Sequence, residues 1–408
     1  MAVHREHKRI LIYSHDTFGL GHLRRCRAIA HALVGAEPAL SVLILSGSPI
    51  IGSFDFRSHV DFVRVPGVIK LRNGEYVSLS LDLRVEETLA MRSSIIRHTA
   101  DAFDPDILIV DKEPLGLRGE MRPTLDLLRE RGTPMILGLR DVMDDPEALE
   151  TEWERKHAIP ALSEYYDEMW VYGLPHICDP LAGLDLPASV RRRMVYTGYL
   201  GRTVPEAASA VETCDLAGED FLLVTTGGGG DGDGLVDWVL AAYEHDPGAL
   251  PPALVVYGPF MTPDQQAGFA ARAAALPKIR TLTFDARLEA WMSRAAGVVA
   301  MGGYNTFCEI LSFDKPALIV PRTTPRLEQA IRARRAAELG LVSVLEDGHG
   351  RDPGMMAAAL LHLTQQKRPS EVVVPGLLDG MPSVTRLTRK WLDRGRAERF
   401  RYGGLRNA

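Results

Sequence analysis

Short apolar runs rich in Val, Ile and Leu alternate with longer segments of helical period along most of the chain. This pattern predicts buried parallel strands joined by crossover helices, which is the α/β fold class. Seven strands are expected in the first half, at Ile10–Ser14, Ser41–Leu45, Val60–Val65, Ile107–Val110, Met135–Leu139, Met169–Tyr172 and Met194–Thr197. Five more are expected in the second half, at Phe221–Thr225, Ala253–Tyr257, Ile279–Phe284, Val298–Met301 and Ala317–Val320.

The strand pattern breaks near the middle of the chain. Residues 206–220 are rich in Ala and polar residues, which is typical of a linker. A chain of 408 residues also exceeds the size of a single hydrophobic core. We therefore predict two Rossmann-like, doubly wound domains that face each other across a cleft, in residues 1–202 and 203–382. Ligands of such folds bind beyond the carboxyl ends of the strands, so the candidate site lies in the loops that follow them.

Composition narrows the class of protein. The net charge of −6 argues against a dedicated nucleic-acid binder, because phosphate neutralisation needs a basic surplus. No apolar run reaches the roughly 18 residues that span a bilayer, and the first residues lack a signal-peptide core, so we expect a cytoplasmic protein. The four cysteines are scattered and expected to be reduced; they are Cys26, Cys178, Cys214 and Cys308.

Basic residues and apolar residues at helical spacing characterise the last segment, which we predict to be a C-terminal helix in residues 383–408. Two interpretations of this amphipathic helix stay open. The favoured one is packing back onto the N-terminal domain. The other is peripheral contact with anionic lipid at the inner face of a membrane.

The loop after the first predicted strand carries a candidate general base. Gly21 and His22 stand at a helix start, where a neutral imidazole can act as general base on an acceptor hydroxyl near neutral pH. A helix cap is the alternative role of His22, and His15 is expected to support the base. Other candidates in this half end later strands and so point into the same cleft; they are Asp111, Arg140 and Asp141. Either acid could orient His22 or cap the helix that follows it.

Two glycine-containing loops in the second half suit a nucleoside diphosphate. A run of glycines follows the first strand there, where backbone N–H groups can face phosphate oxygens; it consists of Gly227, Gly228, Gly229 and Gly230. The nearby Asp231 and Asp233 could hold a metal, but helix capping by an Asp is the preferred interpretation. The second loop precedes a helix whose first residues and Glu309, one turn later, suit phosphates and a ribose; its residues are Gly302, Gly303, Asn305 and Thr306.

The segments GGYNTFCEIL, KPALIVPR and EQ of the second half, together with the opening Gly-Leu-Gly-His, carry a resemblance. The chain resembles GT-B glycosyltransferases similar to the lipid II-forming N-acetylglucosaminyltransferase of peptidoglycan synthesis, of glycosyltransferase family 28, in a branch of bacterial predicted glycosyltransferases. The resemblance implies that Glu309 binds the ribose, and that the residues of both glycine loops lie against the diphosphate. It also implies that Phe284 meets the base and that Glu328 and Gln329 reach the sugar hydroxyls.

The resemblance predicts transfer of a hexosyl or N-acetylhexosaminyl group from a nucleotide sugar, with UDP favoured, to a hydroxyl acceptor. Inversion is expected, with neither a cofactor nor a metal, because backbone donors and helix N-termini would stabilise the leaving diphosphate. Tyr304 and Asn305 replace smaller residues of the family, so the identities of acceptor and sugar do not carry over. Two alternatives stay open: a nucleotide-sugar hydrolysing epimerase of the same fold, and a noncatalytic nucleotide-sugar binding protein.

Overall fold

The computed structural model describes residues 7–16, 20–70, 75–204, 220–285, 287–348 and 350–394. These residues group into two compact units. Unit 1 contains the described residues up to 175, residues 179–199 and the described residues from 379 onward, and unit 2 contains residues 176–178 and 200–378. The first unit thus ends at residue 199 rather than 202 and takes in the chain again at residue 379. The predicted linker at 206–220 lies outside the described residues except for Asp220.

Unit 1 is built on a seven-stranded sheet in which every neighbouring pair of strands is parallel. The strands of this unit are β1 (Lys8–Ser14), β2 (Leu40–Ser46), β3 (Val60–Arg64), β4 (Val68–Lys70), β5 (Tyr76–Ser78), β6 (Ile107–Asp111), β7 (Met135–Arg140), β8 (Glu168–Tyr172) and β9 (Met194–Tyr196). Of these, β4 and β5 form a separate antiparallel hairpin. The strand order is β3-β2-β1-β6-β7-β8-β9. The helices of its first part are α1 (Gly21–Ala36), α2 (Val85–Phe103), α3 (Arg122–Glu130), α4 (Pro146–Arg155), α5 (Ala158–Tyr165) and α6 (Ala188–Arg191).

Unit 2 repeats the same arrangement with a six-stranded parallel sheet of order β12-β11-β10-β13-β14-β15. Its strands are β10 (Leu222–Thr225), β11 (Ala253–Val256), β12 (Ile279–Leu282), β13 (Gly297–Ala300), β14 (Ala317–Ile319) and β15 (Ser343–Val344). Its helices are α7 (Asp233–His245), α8 (Pro263–Ala274), α9 (Leu288–Arg294), α10 (Tyr304–Ser312), α11 (Glu328–Glu338) and α12 (Pro353–Leu363).

The apolar runs in the sequence become the central strands. Every residue of β6, β10, β11 and β13 is buried, because helices cover both faces of a parallel sheet. Each of the twelve predicted strands is present, although β12 ends at Leu282 instead of Phe284. The hairpin β4–β5 and strand β15 were not predicted, because runs of two or three residues are too short to show a period.

The last helix, α13 (Gly380–Asp393), belongs to unit 1. Its apolar face is buried there, with side chains that are at most 8% exposed; they are Val384, Leu387, Trp391 and Leu392. Arg389 pairs with Glu37 at the end of α1, and Lys390 lies 3.4 Å from Glu168. The apolar face of the described part of this helix is therefore covered by unit 1, as the packing interpretation expects. No helix in the described residues has the length and apolar character to span a bilayer.

Candidate functional site

Each sheet has one point at which its strand order reverses. The reversal lies between β1 and β6 in unit 1 and between β10 and β13 in unit 2. Open parallel sheets bind ligands at the carboxyl ends of the two strands that flank such a point. The ends of these four strands, the loops after them and the helices that follow the loops contain most of the residues predicted from the sequence. The topology of each unit thus brings its candidate residues together.

The start of α1 in unit 1 is fixed by Asp16. Its carboxylate accepts a hydrogen bond from the Leu23 N–H at 3.1 Å and another from the Ser46 hydroxyl at 2.5 Å. Burial raises the pKa of Asp16, while nearby His22 and the hydroxyl hydrogen bonds oppose this shift. Asp16 therefore performs the capping that was the alternative role of His22, and the His22 ring is available for other contacts.

His22, Asp111 and Arg25 form a buried cluster at the reversal point of unit 1. The Nδ1 atom of His22 makes a short contact with Oδ2 of Asp111, the last residue of β6. Arg25 lies one helical turn after His22 and holds the same carboxylate through Nε at 2.8 Å and Nη2 at 2.7 Å. This two-point pairing fixes the carboxylate in position. The His22 side chain keeps 16% of its surface exposed, whereas Asp111 and Arg25 are almost fully enclosed.

The charges around His22 favour a neutral imidazole. Burial would raise the pKa of Asp111, but Arg25 and His22 hold it well below its usual range, so this group is a carboxylate. Burial lowers the pKa of His22, and Arg25 and Lys112 lower it further against the opposing effect of Asp111. The short contact between Nδ1 and the Asp111 carboxylate favours the tautomer with its proton on Nδ1, although Arg25 Nη2 also lies 3.1 Å from this atom. This tautomer has its lone pair on Nε2. A base of this form can remove a proton from a hydroxyl group.

His15 lies beside this cluster, with its ring centroid 5.7 Å from that of His22 and the two rings nearly perpendicular. Burial lowers its pKa to about 3, although Glu113 opposes the shift. Its Nδ1 atom is buried and has no hydrogen-bond partner in the described residues. Glu113 is itself paired with Lys156 at 2.8 Å. His15 is therefore a neutral imidazole that lines the same site as the candidate base.

Arg140 and Asp141 stand at the end of β7, and they differ in their exposure to solvent. Arg140 is partly exposed, but Asp141 has no exposed surface and accepts a hydrogen bond from the Tyr199 hydroxyl at 2.8 Å. Gly173 packs against it so closely that a Cβ at that glycine would lie 2.6 Å from the Cβ of Asp141. Of the two acids considered as partners of His22, the structure thus places Asp111 at the imidazole and Asp141 on Tyr199.

The glycine run of unit 2 is required in part by the fold itself. A Cβ at Gly229 would lie 2.3 Å from the Tyr257 carbonyl oxygen, and its φ of 87° also favours glycine. Gly228 accepts a hydrogen bond at its carbonyl from the Phe260 N–H at 2.9 Å. By contrast, a Cβ at Gly227 would meet no atom within 4 Å, and Gly230 is exposed. The part of the loop that is open to a ligand is therefore Gly227 and Gly230.

The loop after β13 leads directly into α10, whose N-cap is Gly303. A Cβ at Gly303 would meet nothing within 4 Å, so the first turn of this helix is open at that point. Asn305 and Thr306 follow in the first turn and are each 7% exposed, and the Asn305 amide oxygen accepts from Arg202 at 3.0 Å. Gly302 has a φ of 76°, and its carbonyl accepts a hydrogen bond from the buried Arg332 at 2.9 Å. The helix start has the form of an anion site.

Glu309 lies one turn further along α10 and has no exposed surface. Ribose hydroxyls could therefore reach its carboxylate only after the atoms that cover it move. Phe284 occupies a different kind of position, because it follows the end of β12 and is 36% exposed.

Arg322 contacts two of the predicted donor residues in unit 2, Glu328 and Gln329, and also Asp231. It follows β14, and its guanidinium contacts Asp231 of the glycine loop and donates to Glu328 at 3.1 Å. Its own N–H donates to the Gln329 side chain at 3.1 Å. The expected helix cap by an Asp is wrong, because the N-cap of α7 is Gly232 and no side chain caps it. Asp231 pairs with Arg322 instead. The described residues contain no group of three or more His, Cys, Asp or Glu side chains that could hold a metal.

Three residues of these clusters escaped the sequence analysis, and each had some signal. Arg25 stands three residues after His22, which is one helical turn. Asp16 precedes the helix start at a distance that allows capping. Arg322 follows a strand, as the other candidate residues do.

Comparison with known proteins indicates the class of enzyme that this chain is similar to. Residues 254–371 match the model of the glycosyltransferase family 28 C-terminal domain. An uncharacterised glycosyltransferase of Methanosarcina acetivorans is 24% identical over 358 residues, which is 82% of either chain. Both findings support a glycosyltransferase function.

Solved structures resemble the chain over nearly its whole length. MurG of Acinetobacter baumannii has a TM-score of 0.57 at 15% identity, over 95% of this chain and all of that one. UGT2 of Phytolacca americana, complexed with UDP-2-fluoroglucose and pterostilbene, has a TM-score of 0.62 at 14% identity, over 97% of this chain and all of that one. The fold is therefore the GT-B fold of two Rossmann-like domains, as predicted.

Proposed function

We propose that the protein transfers a hexosyl or N-acetylhexosaminyl group from a nucleoside-diphosphate sugar, with UDP favoured, to a hydroxyl group of an acceptor. The observation that carries this proposal is the buried cluster of His22, Asp111 and Arg25 at the reversal point of unit 1. The match of residues 254–371 to the family 28 C-terminal domain supports a glycosyltransferase, and the assignment of the nucleotide-sugar donor to unit 2 is part of this proposal. In this proposal, unit 1 provides the base and unit 2 binds the nucleotide sugar.

The base acts through its neutral form. The acceptor hydroxyl hydrogen-bonds to Nε2 of His22, and Asp111 stabilises the imidazolium that forms when the proton is transferred. Since Arg25 holds Asp111 at two points, the carboxylate keeps the ring in one orientation. His15 contributes a second neutral imidazole to the same site, because burial lowers its pKa to about 3.

The donor is held by loops of unit 2. Its diphosphate lies against the open positions Gly227, Gly230 and Gly303, where no side chain blocks its approach and the start of α10 favours negative charge. Glu328 and Gln329 at the start of α11 contact the sugar, and Glu309 receives the ribose after local movement. Backbone donors stabilise the leaving group without a metal in this proposal.

The reaction is a single displacement. The acceptor oxygen forms a bond to the anomeric carbon while the bond from that carbon to the β-phosphate oxygen breaks. The electron pair of the broken bond stays on the phosphate, and the acceptor proton goes to His22. Inversion at the anomeric carbon follows from attack opposite the leaving group.

The test combines a ligand screen with one substitution in each unit. UDP, GDP, dTDP and their common sugars are added in a thermal unfolding assay; a ligand at 100 times its Kd adds about 2.7 kcal/mol of stability. We expect one nucleotide class to raise the midpoint and Glu309→Gln to reduce that effect.

Turnover of the donor thus identified is then measured against candidate hydroxyl acceptors. His22→Ala should lower kcat by about 10²- to 10⁴-fold and leave the nucleotide-induced midpoint shift unchanged. Hydrolysis or epimerisation of the donor without an acceptor would instead show that the protein is a nucleotide-sugar hydrolysing epimerase. No midpoint shift with any nucleotide would contradict the donor assignment.

A further inference from the structure

The guanidinium of Arg322 stands between two carboxylates, Asp231 in the loop assigned to the diphosphate and Glu328, which is assigned to the sugar. Asp231 belongs to the glycine loop, and Glu328 opens α11. The Nη1 atom contacts Asp231, and Nη2 lies 3.1 Å from Glu328. The remaining donor of the fork, Nε, is buried and has no hydrogen-bond partner in the described residues. The side chain thus has an unused donor and a position beside the loop assigned to the diphosphate.

The two ion pairs of Arg322 differ in exposure. The Asp231 side chain is 42% exposed and that of Glu328 only 6%. Exposed ion pairs contribute little to stability, because water screens them, and so the contact with Asp231 is the one that another anion can replace. The backbone of Arg322 is also tied down, since its N–H donates to Gln329. The guanidinium can therefore release Asp231 and bind another anion, while the backbone of Arg322 stays fixed after β14.

We propose that Arg322 binds the diphosphate of the donor, and that Asp231 competes with this diphosphate for the same guanidinium. This inference rests on the proposed function. The planar fork of an Arg suits two phosphate oxygens, and the unused Nε adds a donor that Asp231 does not engage. When the bond to the anomeric carbon breaks, the electron pair that stays on the β-phosphate oxygen adds charge at this position. Arg322 would then stabilise the leaving group more strongly than the intact donor.

Calorimetric titration of the full chain tests this competition. The probes are UDP, GDP and dTDP, together with the corresponding nucleosides. Arg322→Met should weaken the diphosphate that binds by about 10- to 100-fold, because a charge-assisted hydrogen bond is lost, and should leave the affinity for its nucleoside within about twofold. Arg322→Lys should fall between the two proteins. Asp231→Asn should tighten the diphosphate, because it removes the competing carboxylate.

The opposite effects of the two substitutions distinguish ligand binding from a merely structural ion pair. If the pair only braces the loop, Asp231→Asn and Arg322→Met will weaken the diphosphate alike, which would overturn the inference. Wild-type affinity for the diphosphate in Arg322→Met would overturn it as well. Arg334→Met is the matched control, since Arg334 of the same unit forms an exposed pair with Glu346 and should change nothing.

A failed inference is separable from a failed function. If a nucleoside diphosphate binds and only the Arg322 prediction fails, the donor assignment stands. If the unsubstituted protein binds none of the nucleotides or nucleosides, the proposed function and this inference are both overturned. Unfolding midpoints of each variant without ligand show whether a loss of affinity comes from a loss of folded protein.

Discussion

At the scale of single residues, Arg25 affects the candidate base in two ways. It fixes Asp111 at two points, and its positive charge opposes protonation of His22. Asp111 acts in the other direction, because a carboxylate favours the imidazolium. The groups that face the ring are Asp111, Arg25, Lys112, Asp16 and His15. The pKa of His22 therefore depends on opposing charges around the ring. The charge of Arg25 is one of these, and a substitution can remove it.

We predict that Arg25→Met moves the acidic limb of the pH profile of kcat to higher pH. Without the guanidinium, the imidazolium form of His22 is less disfavoured, so the pKa of His22 rises and the neutral base is lost at a higher pH than in the unsubstituted protein. The measurement is kcat from pH 5 to 9 with saturating donor and acceptor.

Arg27→Met is the control for this substitution. Arg27 lies in the same helix but donates to the Asp55 carbonyl, so its loss should leave the profile in place. A variant at Arg25 that is slower at every pH, with an unmoved acidic limb, would show that Arg25 only supports the structure.

Sequence reasoning found His22 and Asp111 separately, because each follows a strand. It could not choose between Asp111 and Asp141 as the partner, since that choice depends on which strand lies next to β1. The sheet order places β6 there, and β7 one strand further away. Arg25 was missed because helical spacing shows that it shares a face with His22 but not what that face meets.

At the scale of elements, the two glycine loops of unit 2 use their glycines for different purposes. Gly229 is required by the close Tyr257 carbonyl and by its positive φ. Gly303 has a φ of −57° and open space where a Cβ would stand. One glycine thus serves the fold, and the other leaves room at the start of a helix. A sequence shows only that both are glycines.

We predict that Gly229→Ala destabilises the protein, whereas Gly303→Ala folds normally and binds the nucleoside diphosphate more weakly. In the first variant, the new methyl group collides with backbone that cannot move cheaply, and strain of this kind costs about 1–3 kcal/mol. In the second, the methyl group occupies space that the proposal gives to phosphate oxygens. Unfolding midpoints and nucleotide titrations of both variants provide the measurement.

Unchanged diphosphate affinity in Gly303→Ala would contradict the placement of the diphosphate at α10. A normal midpoint in Gly229→Ala would mean that the glycine loop can rearrange. The unfolding midpoint of Gly303→Ala, which is expected to be normal, is the control that separates a loss of affinity from a loss of folded protein.

At the scale of the whole molecule, sequence reasoning recovered the two parallel sheets because their strands are continuous apolar runs. Sequence reasoning could not predict the order of the strands or the residues that belong to each unit. Unit 1 is completed by α13, which is encoded nearly 200 residues after β9. An amphipathic pattern shows that a helix has an apolar face but not which surface buries it, and so packing and membrane contact both stayed open.

Because α13 belongs to unit 1, we predict that a substitution in its buried apolar face destabilises unit 1. Leu387 is 3% exposed, and its truncation to Ala should destabilise unit 1 by about 2–5 kcal/mol, through lost burial and the cavity left behind. Arg389→Ala on the same helix is the control; it removes an exposed ion pair with Glu37, which is worth about 0–1 kcal/mol.

Hydrogen exchange resolves where Leu387→Ala acts. Faster exchange is expected in α1 and in the strands of unit 1, although these precede the substitution by more than 180 residues, while the helices of unit 2 should exchange as before. Nucleotide binding should also persist, because the proposed donor loops belong to unit 2. Faster exchange that is confined to unit 2 would contradict the assignment of α13, and loss of protection in both units would show that they unfold as one cooperative structure.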